Sequence, residues 1–166
     1  MHSRPGGSTA GRWAAQSLGK GFRMAFVPFH ELFINIAKKE TRMMEVINVP
    51  GLPKGKYFLL EAYCDEPNCD CRRVIFNILE EKGKQPIAII GYGWEKREYY
   101  IKWFGNNDKS EIDELKGPSL NTLSIQSEYA PIILDNMKYI LKDKKYIERI
   151  KNHYNMFKAE IDKKKI

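Results

Sequence analysis

No apolar run in the sequence approaches the roughly 20 residues of a membrane-spanning helix, so nothing in it points to a membrane span. Cysteine is scarce and odd in number, with three residues, which excludes a complete disulfide framework and makes a reducing, cytoplasmic setting the expectation. The first 23 residues contain no acid and no continuous apolar core, which excludes a secretory signal. There is no phosphate-cradling glycine pattern, no HExxH pair and no nucleophile elbow, so an enzymatic role has no motif behind it. No internal repeat is present.

What is there suits a globular chain. The 166 residues are 43% hydrophobic and 30% charged, enough for one domain with a real core. The net charge of +7 is unevenly spread. Residues 1–23 contribute +4 through Arg4, Arg12, Lys20 and Arg23; residues 24–137 sum to −3, and residues 138–166 to +6. Residues 1–23 are rich in Gly, Ser, Ala and Arg, whereas the rest is rich in Lys, Ile, Asn, Tyr and Phe. We therefore expect a disordered leader or non-native extension over 1–23, with an organellar transit peptide as the second reading, and a single α+β domain over 24–166.

Periodicity predicts the elements. Phe29, Leu32, Phe33, Ile36 and Ala37 follow Pro28 at helical spacing and predict a helix over about 28–43. Pro50-Gly51-Leu52-Pro53 breaks the chain. Strands are expected at Tyr57 to Tyr63, Arg72 to Leu79, Pro86 to Tyr92 and Arg97 to Phe104, with Gly91 and Gly93 near the last bend. Short connections favour a four-stranded antiparallel meander. Ser110 to Lys116 reads as a short helix, with Ser110 and Asp113 at capping-box spacing and Gly117-Pro118 as its stop. Two apolar stripes follow, Tyr129 to Leu141 and Ile147 to Ile161, with Asp143 as the cap between them. They predict a C-terminal αα-hairpin.

All three cysteines lie in Cys64-Asp65-Glu66-Pro67-Asn68-Cys69-Asp70-Cys71-Arg72-Arg73. On this reading the run joins the first two strands. Pro67-Asn68 favours a turn that returns Cys64 toward Cys69 and Cys71, and thiolates crowded this way suit zinc. Arg72 and Arg73 would offset part of the negative charge. A fourth ligand is not evident from spacing. His30 and His153 are the histidine candidates, Asp65, Glu66 and Asp70 are nearer in sequence, and water would leave the site open. Two other readings stay open: reduced, unliganded cysteines in a folded loop, and a reversible disulfide or nucleophilic thiol. His153 flanks an apolar stripe, where a histidine is more often hydrogen-bonded structure than a ligand.

The segment Phe33 to Arg42, then Leu60 to Cys64 and Cys69 to Val74, together with Tyr129-Ala130-Pro131 and His153 to Phe157, resembles an uncharacterised prokaryotic family with a Cys-x4-Cys-x-Cys-Arg-Arg motif. Some of its members are linked to SEC-C zinc-binding motifs. The resemblance covers most of residues 29–160. It implies a common fold and a special role for the cysteines, and it carries over no catalytic residue.

Partners are read from charge. Trp94 to Phe104 interleaves bases and aromatics as single-strand nucleic-acid surfaces do, but alternation puts Tyr99, Ile101 and Trp103 in the core and Lys96, Glu98, Tyr100 and Lys102 on a solvated face. Lys144, Lys145, Arg149, Lys151 and Lys158 read as the solvated face of the last helix. The expectation is a small zinc-binding interaction module with an unidentified protein partner and only weak, non-specific nucleic-acid binding. The alternative is a metal- or cysteine-dependent enzyme.

Overall fold

The computed structural model describes residues 25–164; the expectation for residues 1–23 lies outside them. Among the described residues, six strands form one antiparallel sheet, accompanied by six helices, an α+β arrangement. The strands are β1 (Phe26–Pro28), β2 (Arg42–Val46), β3 (Gly55–Cys64), β4 (Arg73–Glu80), β5 (Ala88–Gly93) and β6 (Ser119–Leu120). The helices are α1 (Phe29–Leu32), α2 (Ile34–Glu40), α3 (Arg97–Phe104), α4 (Lys109–Lys116), α5 (Ala130–Ile140) and α6 (Lys144–Lys163). No helix among the described residues is long and apolar enough to cross a membrane.

Three of the expected strands are present as β3, β4 and β5, paired in sequence order. The four-stranded meander is not. Its fourth strand is helix α3, and β1, β2 and β6 complete the sheet instead. Aromatic and β-branched enrichment favoured a strand at 97–104, but Tyr99, Tyr100, Trp103 and Phe104 also share one helical face. Gly105, left-handed at φ 86° with its N–H on the Ile101 carbonyl, ends that helix. The expected helix over 28–43 is two short helices separated at Phe33, and its last residues belong to β2. β1 and β2 lie end to end along the same edge of β3, β1 against Ala62–Cys64 and β2 against Gly55–Leu59.

Helix α4 forms as expected, but its cap is Asp108, whose carboxylate accepts the Glu111 N–H at 3.0 Å. Asp143 caps α6 as expected, accepting from Lys145 and Tyr146 N–H. The two C-terminal helices do not pair along their lengths: α5 docks on β5 and β6, and α6 on β3 and α1.

Gly91 and Gly93 do not mark a bend. They pair within β5, opposite Ile75 and Arg73. A Cβ on Gly93 would fall on the Tyr100 ring, and one on Gly91 would lie 2.8 Å from the Arg73 guanidinium. Both glycines make room for large buried side chains from neighbouring elements. Gly93→Ala is expected to destabilise the fold by about 1–3 kcal/mol through overpacking. Denaturant melts check this; an unchanged midpoint would mean that Tyr100 relocates without penalty.

Candidate metal centre

The loop 65–72 joins β3 to β4 at the end of the sheet where β1 begins. Its fold follows from local chemistry. Cys69 N–H donates to the Glu66 carbonyl at 3.2 Å, closing a turn with Pro67 and Asn68 at its centre. Asn68 takes φ 62°, which asparagine tolerates better than most residues. Arg72 is also left-handed, at φ 48°, and is held there from both sides. Its N–H donates to the Tyr154 hydroxyl at 3.2 Å, and its carbonyl accepts from the Tyr100 hydroxyl at 2.8 Å. Its guanidinium meets the Asp70 carboxylate through two hydrogen bonds and lies over the Tyr99 ring, 4.6 Å from the centroid. The Tyr99 hydroxyl in turn donates to the Asp70 carbonyl.

Helix α6 supports the loop along one row. Tyr154, Lys158 and Asp162 are spaced at i, i+4 and i+8 and reach three separate parts of the loop. Tyr154 binds Arg72 N–H; Lys158 Nζ donates to the Glu66 carbonyl at 2.7 Å and the Cys64 carbonyl at 3.3 Å; Asp162 accepts from Asn68 N–H at 3.1 Å.

The outcome is that Cys64, Cys69 and Cys71 come together, with their sulfurs all within 4.8 Å of one another. Cys64 and Cys71 are fully buried, and Cys69 is half-buried. Glu66 N–H donates to the Cys64 sulfur at 3.3 Å. The three thiols share charge unequally. The Cys64 thiol is pushed far up, first by its hydrogen bond to Cys69 and then by the bond to Cys71 and by burial. The Cys69 thiol is lowered to about 3, because Cys64 and then Cys71 hydrogen-bond to its thiolate. For Cys71 the hydrogen bond with Cys64 lowers the value, but the one with Cys69 and burial outweigh it and leave the thiol at about 12.

Two buried cations stand beside these sulfurs. Arg73 is 2% exposed and Lys158 8%. Arg73 donates from Nε to the Leu115 carbonyl at 2.8 Å and lies over Phe26, while its Nη1 has no hydrogen-bond partner among the described residues. Burial holds its pKa below the ordinary value, against the opposing pull of Cys71. Lys158 Nζ donates to the Cys64 and Glu66 carbonyls. Neither cation forms an ion pair with a carboxylate among the described residues.

Neither histidine belongs to the three-sulfur group. His153, on α6, is 1% exposed; its Nδ1 lies 2.8 Å from Glu61 and its Nε2 3.4 Å from Glu40, while the ring stacks on Phe29 at 4.3 Å. His30 lies on α1, half-buried. The Glu61 carboxylate also accepts from the Tyr63 hydroxyl at 2.5 Å. Burial lowers the His153 pKa, but the hydrogen bond and charge of Glu61, then those of Glu40, outweigh it and raise the net value. The fold therefore favours the protonated ring. Its contribution is full below the unfolded pKa near 6.5 and is lost as pH rises through the raised folded value. Melts of wild type and His153→Gln in chelator are expected to differ by about 1–3 kcal/mol near pH 6, converging at higher pH. A gap that does not change with pH would remove the ion pair from the account.

Sequence reading missed three parts of this site. Lys158 was placed on a solvated face and is buried; its signal was the i, i+4 step from Tyr154. Tyr100 was placed outward and is fully buried, because its segment is helical. Arg73 was expected in the second strand, offsetting sulfur charge, and it does open β4; what was not foreseen is its burial, for which Gly91 makes the room.

No family model, curated protein or solved structure matches this chain.

Proposed function

We propose that this protein is a cytoplasmic metal-binding domain in which Cys64, Cys69 and Cys71 hold a zinc ion. The observation that carries the reading is the pair of buried cations. Burying a guanidinium and an ammonium without a carboxylate partner is costly. The cost falls if the sulfurs they face are thiolates, and three thiolates on a divalent ion form a centre of net charge −1. Thiolate donors also favour zinc over hard cations. Three protein donors leave one tetrahedral position to water or to an exogenous ligand. That open position is what an enzymatic role would use.

Held this way, the metal would stiffen the β3–β4 loop, which α6 already supports by hydrogen bonds, and present a rigid surface to a protein partner. Nucleic acid is the weaker choice, because the aromatic and basic segment expected to form a strand is α3, with Tyr100 turned inward.

Protein purified without added metal, under reducing conditions, is expected to carry about one equivalent of zinc by elemental analysis, with the thiols protected from titration until a chelator is added. Less than about 0.2 equivalents of any metal, with three freely titrating thiols, would sink the proposal.

A further inference from the structure

We infer that the same loop is a peroxide-sensitive switch, in which a disulfide between Cys69 and Cys64 forms and expels the metal. The metal-release half rests on the reading above; the disulfide half does not.

Access and proximity support it. Cys69 is the partly buried cysteine, whereas Cys64 and Cys71 are fully buried, so a small oxidant in solution meets Cys69 first. The turn from Glu66 to Cys69 folds Cys69 back on the end of β3, where Cys64 sits. The Cys69 sulfur lies within 4.8 Å of both other sulfurs, and Cys64, five residues away across the turn, closes a less strained ring than Cys71 only two residues away. The Glu66 N–H on the Cys64 sulfur fixes that second sulfur in place.

The chemistry balances with a hydroperoxide as oxidant. The Cys69 sulfur attacks the peroxide oxygen, the O–O bond breaks, and the products are a sulfenic acid and an alcohol, or water from hydrogen peroxide. The Cys64 sulfur then attacks the Cys69 sulfur, the S–O bond breaks, and the hydroxyl leaves as water. Two thiols lose two electrons and two protons, and hydrogen peroxide becomes two waters. From the metal-bound state, where the sulfurs carry no protons, the two protons come from solvent. With two of its three donors consumed, the ion has only Cys71 left and departs.

The test uses the full chain, metal-loaded and chelated, treated with hydrogen peroxide. Free thiols are counted, intact mass is recorded, and released metal is followed with a chromogenic chelator. The expected result is loss of two of the three thiols in both samples, metal release from the loaded one, and recovery with dithiothreitol and zinc. Tandem mass spectrometry should place the disulfide between Cys64 and Cys69. Cys71→Ser should still form it, whereas Cys64→Ser should stop at a Cys69 sulfenic acid that dimedone traps. A Cys64→Ser protein that still forms a disulfide would overturn the pairing. Metal that stays bound, with no thiol lost at peroxide levels that oxidise free glutathione, would overturn the switch and leave the metal reading intact. No metal before treatment, with two thiols still lost, would remove the metal reading and keep the disulfide.

Discussion

Stripping the metal with a chelator under reducing conditions is expected to lower the melting temperature by on the order of 10 °C. The size follows from linkage. A ligand that binds only the folded state, at about 1,000 times its dissociation constant, contributes about 4 kcal/mol. In a domain of this length each kcal/mol moves the midpoint by about 2–4 °C. The structure indicates where that stabilisation would act. The loop 65–72 is held to α6 by Tyr154, Lys158 and Asp162, and to the α3 side by Tyr99 and Tyr100. A metal closing the three sulfurs would tie the end of β3 to the 65–72 loop and so hold in place the loop groups that α6 and α3 bind. Cys69→Ser should reproduce the lowered melting temperature and make the protein indifferent to chelator. Calorimetry with and without chelator is the measurement, and coincident melts would show that the cysteines pack without metal.

Much of the sheet could be read from sequence, because β3, β4 and β5 have the length and turn chemistry of strands and pair with their neighbours in the chain. The additions could not. β1, β2 and β6 are two to five residues long, too short for period-two alternation to stand out, and each exists because an edge of β3 or β5 needs hydrogen-bond partners. Helix α3 was misread because aromatic side chains satisfy a strand pattern and a helical face equally well over eight residues. Gly105 was the signal that could have decided it.

The site divides the same way. Crowding of the cysteines and the Pro67-Asn68 turn are local properties, and the loop forms as its residues suggest. The surroundings are not local. His153 was a ligand candidate by residue type alone, and what places its two nitrogens against Glu61 and Glu40 is the docking of α6 on β3 and on the end of α2. Burial of Arg73 and Lys158 depends on α4 and α6, both distant in sequence from the cysteine loop, meeting the sheet. Spacing carries no trace of that until the helices are in place.

Arg73→Met is expected to have effects of different sign in the two states of the protein. In the metal-free protein the Arg73 guanidinium is desolvated, feels Glu114 without pairing with it, and leaves Nη1 without a hydrogen-bond partner among the described residues. A methionine of similar length fills the space above Gly91 without that desolvation penalty, so metal-free stability should be unchanged or higher. In the metal-loaded protein the guanidinium faces a centre of net charge −1, and its removal leaves that charge uncompensated in a buried setting. Metal affinity should then fall by about 10- to 100-fold, the usual effect of removing a group that supports a metal ligand. Competition against a chromogenic chelator measures the affinity, and denaturant melts in chelator measure the metal-free fold. Lys158→Met is the comparison. It should weaken metal binding in the same direction but also destabilise the metal-free protein, because the Cys64 and Glu66 carbonyls lose their donor. Equal losses for Arg73→Met in both states would mean that the side chain only packs. The buried cations would then no longer support a metal at the three sulfurs.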